Sequence, residues 1–203
     1  PTRIARSLAR LDLRYAVIPS VDRADLPDGG ARFWAETINA VRAACPGMML
    51  EVLVPDFKGA RKDIQTVVDA EPHVFAHNLE TVERLHALVR PHARFERTLS
   101  TLEHAKQLGA TTKSGIMVGL GEEDDEVVDA LGALAGVGCD IVSIGQYMRP
   151  GPRHLPVRRW VTPETFVEYE QVARALGITG VKSGPLVRSS YRADEQAGFS
   201  PRE

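Results

Sequence analysis

The stretch TKSGIMVGLGEEDDEVVDALGALAGVGCDIVSIGQYM, residues 112–148, decides the fold. It opens with an apolar run, turns at Gly119-Leu-Gly121, and enters a helix at the acidic pair Asp124 and Asp125. A helical repeat of Val, Leu and Ala follows, and then a second apolar run, DIVSIGQYM from Asp140. Strand, helix and strand in one stretch is the βαβ unit of a parallel sheet. Outward from it the alternation continues. RYAVIPS (from Arg14), MLEVLVPDF (from Met49), HVFAHNLE (from His73) and GVKSGPLV (from Gly180) read as further strands. Between them AETINAVRAA, ARKDIQTVVDA, TVERLHALV, TLSTLEHAKQLG and TPETFVEYEQVARALG carry apolar stripes at helical spacing, such as Phe166, Tyr169, Val172 and Leu176. Thr162-Pro163-Glu164 reads as an N-cap, a first-turn proline and an acidic residue, while Gly109 and Gly177 follow helix ends. A helix over Ile4 to Leu11 is already under way at Pro1, so the chain reads as a fragment.

Composition bounds the function. The 203 residues suffice for one domain, and 25 basic against 27 acidic residues leave a net charge of -2, which argues against polyanion binding by bulk charge. Only Cys45 and Cys139 occur, outside any short Cys/His pattern, so a disulfide scaffold and a three- or four-thiolate metal centre built from this chain alone are excluded. No apolar run reaches the roughly 18 residues of a membrane span and no leader is visible; a cytoplasmic protein is expected.

A doubly wound nucleotide fold needs a glycine-rich loop straight after its first strand, but in SVDRADLPDGG the pair Gly29-Gly30 comes too late. A barrel or partial barrel fits better, and its site lies at the carboxyl ends of the strands. Polar residues collect there: Asp22, Arg23 and Asp25; Asp56; His77, Asn78 and Glu80; Gln146, Tyr147 and Arg149; and Arg188, Ser189, Ser190 and Tyr191. Lys113 and Ser114 are polar within a strand otherwise read as buried. Each group has a plain reading beside a functional one. SVDRADLPDGG is either a surface loop of Asx turns or an arginine clamp for a carboxylate. HNLE either caps the next helix or receives the charged ends of an amino-acid-like ligand. Gln146 and Tyr147 either satisfy a loop or offer an amide and a ring to a purine. In VRSSYRADE, successive residues of an extended segment point opposite ways, so only one of Ser189 and Ser190 faces a given site.

Taken together and in order, SVDRADLPDGGA, EVLVPDFKG, VFAHNLETV, TKSGIMVGLGE, DIVSIGQYMRP, HLPVRRWVTPETF and SGPLVRSSYRADEQA resemble the lipoyl synthase family of the radical S-adenosylmethionine superfamily. The resemblance covers nearly the whole chain. It implies a partial (β/α)6 barrel with its first strand missing, forming a single domain over 1–203 whose segment 180–203 carries the RSSY motif. It implies an enzyme that inserts two sulfur atoms, at C6 and C8, into an octanoyl group on a lipoyl carrier protein. One 4Fe-4S cluster would cleave S-adenosylmethionine to a 5′-deoxyadenosyl radical and a second would donate sulfur. On the same resemblance Asn78 and Glu80, with Lys113 and Ser114, hold S-adenosylmethionine; Gln146, Tyr147 and Arg149 lie toward its adenine; Asp22, Arg23, Asp25 and Arg188 line the substrate side. A serine of the RSSY motif, Ser190 rather than Ser189, would ligate iron of the second cluster. Implied partners are an octanoylated glycine cleavage H protein or E2 lipoyl domain and a flavodoxin or ferredoxin, with no nucleic acid or membrane. The family's two three-cysteine motifs do not occur here, so this chain alone is expected to be inactive. Two other readings are a truncated homologue that only binds a nucleoside or an acylated carrier protein, and a barrel aldolase. The latter requires a lysine at a strand's carboxyl end, whereas Lys113 and Lys182 sit inside strand runs.

Overall fold

A computed structural model of the chain describes residues 1–23 and 25–198. The last five residues of the segment 180–203 lie outside that range. Six strands, β1 (Tyr15–Pro19), β2 (Met49–Leu53), β3 (Val74–Ala76), β4 (Thr112–Val118), β5 (Ile141–Gln146) and β6 (Gly180–Gly184), form one sheet in sequence order. Every neighbouring pair is parallel. Helices α1 (Thr2–Leu11), α2 (Ala31–Ala44), α3 (Arg61–Val68), α4 (Glu83–Val89), α5 (Phe95–Gln107), α6 (Asp124–Gly136) and α7 (Pro163–Ala175) alternate with the strands, and a short α8 (Ala193–Gln196) closes the described chain.

The expected helix signals operate as read. Thr162 Oγ1 accepts from the Thr165 amide with Pro163 in the first turn, and Glu123 and Glu126 make a capping box at the start of α6. Gly109 and Gly177 take positive φ after α5 and α7. One stripe position differs: Leu176, expected inside, is 42% exposed because α7 ends at Ala175 and turns away at Gly177.

α8 packs against both β1 and β6. In a flat sheet those edges would stand five strand spacings, about 24 Å, apart, whereas a four-residue helix is about 6 Å long. The sheet is therefore curled into a partial barrel, open between β1 and β6. One face looks outward onto the helices, where Leu50, Val52 and Phe75 join one apolar cluster and Ile116, Val118, Val142 and Ile144 another. The other face looks inward and is polar for a barrel. Tyr15 donates to Glu51 at 2.7 Å, and the Lys113 ammonium pairs with Glu51 at 3.0 Å with both side chains 1% exposed. Burial lowers the affinity of Lys113 for its proton, opposed by Glu51, and burial raises that of the Tyr15 hydroxyl.

Candidate functional site at the carboxyl ends of the strands

The strand ends open into two adjoining depressions that share Asn78 and Glu80. The larger, about 870 Å³, is lined by Ser20, Asp22, Asp56, Lys58, Arg90 and Arg97 among others. The smaller, about 170 Å³, lies over β4 and β5 and is lined by Gly115, Met117, Gly145, Met148, Arg188 and Ser189 among others.

The shared wall is built by an unusual backbone. After β3 the chain does not enter a helix; Glu80 takes φ 72°, its amide donates to Gly115 O, and its carbonyl accepts from Met117 N. The reading of HNLE as a cap for the next helix is thereby corrected, since α4 starts only at Glu83 and its N-cap residue is Val82. Left-handed φ at a non-glycine is costly and persists where surrounding contacts enforce it, here the bridge to Ile116. It aims a largely buried carboxylate at the cavity. Glu80 Oε1 accepts from Asn78 Nδ2 at 3.3 Å and from Arg90 at 3.2 Å, yet burial outweighs both and raises its proton affinity. Gly115 faces Asn78, and a Cβ there would stand 3.0 Å from Asn78 Oδ1. The missing side chain lets the Asn78 amide lie against β4, at the boundary of the two depressions.

The structure brings only part of the expected site together. Asn78 and Glu80 line both depressions, Asp22 the larger, and Gln146, Arg188 and Ser189 the smaller. Gln146 is also the anchor of a returning loop, donating to Tyr147 O and Arg159 O and accepting from Val161 N. Lys113, Ser114, Tyr147 and Arg149 do not line either depression. Lys113 is held by Glu51 in the barrel interior, Ser114 faces the helices and accepts from Leu79 N, Tyr147 donates to Leu155 O, and Arg149 donates to His154 O and Pro152 O. Arg23 and Asp25 form an exposed two-point ion pair, and Arg23 lines a separate apolar groove beside Phe33 and Trp34. Ser189 and Ser190 line different grooves, Ser190 a third one with Tyr15 and Asp194, but the segment is a turn closed by Tyr191 N on Arg188 O and not the extended chain expected from sequence. Arg90, Arg97 and the interior glycines Gly115 and Gly145 were not singled out from sequence. Arg90 directly follows α4 and Arg97 stands in the first turn of α5, away from any strand end, and the glycines sit within strands, where their only signal is a missing side chain in an otherwise branched run.

His77 lines the larger depression with both ring nitrogens engaged. It is 3% exposed, its Nδ1–H donates to Val54 O at 2.8 Å, and Nε2 faces Thr98 Oγ1 at 3.3 Å. Burial depresses its proton affinity, and the same direction holds for His73 and His86. A histidine whose folded pKa lies below its unfolded value of about 6.5 contributes stability that is present above that value and lost as pH falls, by at most about 1.4 kcal/mol per pH unit per group. Denaturant midpoints should therefore fall between pH 7.5 and 5.5. His77→Gln should flatten that fall, and an unchanged slope in the variant would remove His77 as its source.

A curled parallel sheet with a polar mouth at its carboxyl ends is the architecture of radical S-adenosylmethionine enzymes, and the Radical SAM superfamily model matches residues 1–134. Among solved structures, HydG, a maturase of the FeFe-hydrogenase, superposes with a TM-score of 0.68 at 15% identity, covering 89% of this chain and 43% of its own. Methylornithine synthase (PylB) gives 0.59 at 15% identity, covering 72% of this chain and 43% of its own. These likenesses establish the fold. Sequence relatives are nearer. A lipoyl synthase of Kineococcus radiotolerans is 54% identical over 95% of this chain and 58% of its own length, and one of Pyrobaculum calidifontis is 54% identical over 96% of this chain and 68% of its own. One of Tropheryma whipplei is 49% identical over 95% of this chain and 55% of its own length. The chain belongs to the lipoyl synthase family, and it spans less than two thirds of the length of the first of these relatives.

Among the described residues no three His, Cys, Asp or Glu side chains come together for a metal. Cys139 is buried, donates to Ile141 O and has its thiol pushed up to about 12 by burial. These residues do not fit an iron–sulfur cluster. The wall of Asn78 and Glu80 does fit S-adenosylmethionine, with polar acceptors for an ammonium at the boundary of two open depressions.

Proposed function

We propose that this chain is the ligand-holding barrel of a lipoyl synthase, an enzyme that inserts two sulfur atoms at C6 and C8 of an octanoyl group carried on a lysine of a lipoyl carrier protein. The observation that carries the proposal is the shared wall, where Asn78 and Glu80 meet Gly115 between two cavities. In this reading Glu80 and Asn78 Oδ1 accept from the methionyl ammonium, whose positive charge draws the buried Glu80 carboxyl back to its ionised form. The larger cavity, with Asp22, receives the acyl chain, and the inward loops exclude water from it. The 4Fe-4S clusters of the family supply, when bound, the reducing electron and the sulfur; no ligand set for them lies in these residues, and we infer that this stretch alone does not turn over. Ser189 and Ser190 line different depressions, so the serine that would reach iron is set by which one the second cluster enters. A flavodoxin or ferredoxin as donor and an H protein or E2 lipoyl domain as carrier complete the proposal.

The test has two parts. Titration calorimetry should find saturable S-adenosylmethionine binding, weakened about tenfold by Asn78→Ala, the effect of about 1.4 kcal/mol expected for a buried hydrogen bond. Fused behind the cluster-bearing portion of the Kineococcus relative, the chain should convert an octanoyl-lysine peptide to the lipoyl form anaerobically, followed by mass spectrometry. A fusion that cleaves S-adenosylmethionine but leaves the peptide unchanged would overturn the assignment.

A further inference from the structure

The loop beside the smaller cavity carries charge of one sign along its sequence, and the acidic residues 122–126 meet it only at one end, where Arg158 lies over Gly121 and Arg159 pairs with Asp124. From Ile141 to Pro163 the chain has four arginines and no aspartate or glutamate, although its net charge is -2. Arg159 is committed to Asp124 and Tyr169. Arg149 is turned onto carbonyls of its own loop. Arg153, Arg158 and, from the neighbouring segment, Arg188 are exposed and form no ion pair among the described residues. Apolar side chains stand among them: Met148 is 48% exposed, Trp160 64% and Leu186 78%. Met148 and Arg188 are themselves the lip of the smaller cavity. The surface is also held in shape. Tyr147 Oη–H donates to Leu155 O, Gln146 fixes Arg159 and Val161, and Arg149 closes the turn over Pro152 and His154. A loop so anchored loses little entropy on meeting a partner.

We propose that the face made by residues 148–160 and 186–188 docks an acidic protein domain, which presents its acylated lysine to the adjoining cavities. The proposal rests on the reading of those cavities as the site for an octanoyl-lysine arm, and it adds the surface and the chemistry of the partner. Unpaired arginines around exposed apolar side chains at a cavity lip fit a carboxylate-rich domain, since rim charges steer encounter and central apolar contacts hold it. Nucleic acid is disfavoured because the chain as a whole carries a net charge of -2.

The test compares the chain with Arg153→Glu/Arg158→Glu, both exposed and outside the cavities. Probes are an acidic octanoylated lipoyl carrier domain, a short octanoyl-lysine peptide, S-adenosylmethionine and duplex DNA. The charge-reversed variant should bind the carrier domain about tenfold or more weakly at low salt, while the peptide and S-adenosylmethionine bind within about twofold of wild type. Wild-type carrier binding should weaken with added salt, and Arg153→Lys/Arg158→Lys should retain it. Equal carrier affinity in the reversed variant, or DNA bound as tightly as the carrier, overturns the proposal. Binding of S-adenosylmethionine and peptide without any carrier binding defeats the docking face alone. Charge-dependent carrier binding without either small ligand supports the face and defeats the reading of the cavities.

Discussion

Glu51→Ala is expected to destabilise the chain by about 3–5 kcal/mol, the cost of leaving a buried charge without its partner. Glu51 is the only carboxylate that pairs with Lys113 among the described residues, and both side chains are 1% exposed inside the barrel. The substitution also strips the Tyr15 hydroxyl of its acceptor. Lys113 would then have to shed its proton or draw water into the barrel, the first made easier by a proton affinity already lowered by burial. Equilibrium urea unfolding measures the effect. The double variant Glu51→Leu/Lys113→Met should recover most of the loss, because a buried pair exchanged whole for apolar side chains is close to neutral. The same variant separates packing from ligand contact at Lys113. Unchanged S-adenosylmethionine affinity in the refolded double variant is expected, and its loss would return Lys113 to the ligand.

Gly119→Ala should cost about 3 kcal/mol or more, combining backbone strain with overpacking. Gly119 stands at φ 101°, beyond the left-handed region that other residues tolerate. A methyl there would run into Gln146 Nε2 and Arg159 O. Its own amide donates to Glu122 Oε1 at 2.5 Å, Leu120 N donates to Oε2 at 2.9 Å, and its carbonyl accepts from Arg158 N. The side chain that anchors the rim loop thus touches the very atom the substitution would displace. Thermal unfolding should show the loss, and carrier binding should fall with it. A variant of wild-type stability would mean that Gln146 and the loop move aside freely.

The alternating sheet was legible because most outward strand positions carry a branched or aromatic side chain and helices such as α6 and α7 have their own start signals. The inward face was harder. A glutamate in MLEVL and a lysine in TKSGIMV both break apolar runs, but their partnership depends on curvature that brings β2 within reach of β4 across the barrel. No local pattern records that distance. Asn78 and Glu80 were readable as strand-end polar groups, while the left-handed turn at Glu80 was not, since glutamate rarely adopts it. Ser114 misled for the opposite reason: a hydroxyl in a buried strand resembles a ligand contact until the register shows it turned outward to Leu79 N. Arg23 and Asp25 were close in sequence and are close in space, but as a surface pair beside an apolar groove.

The sheet is thinnest where β3 meets β4. The two strands share only the pairs Phe75 with Thr112 and Ala76 with Lys113, followed by the single bridge from Glu80 to Ile116, against six pairs between β4 and β5. That narrow junction also separates the two apolar clusters, and Asn78, Glu80 and Gly115 lie at its open end. Sub-global opening follows the weakest cooperative boundary. The seam is spanned by the interior ion pair of Lys113 and Glu51 and by α5, which contributes to both clusters, so its opening would loosen the wall of both depressions at once.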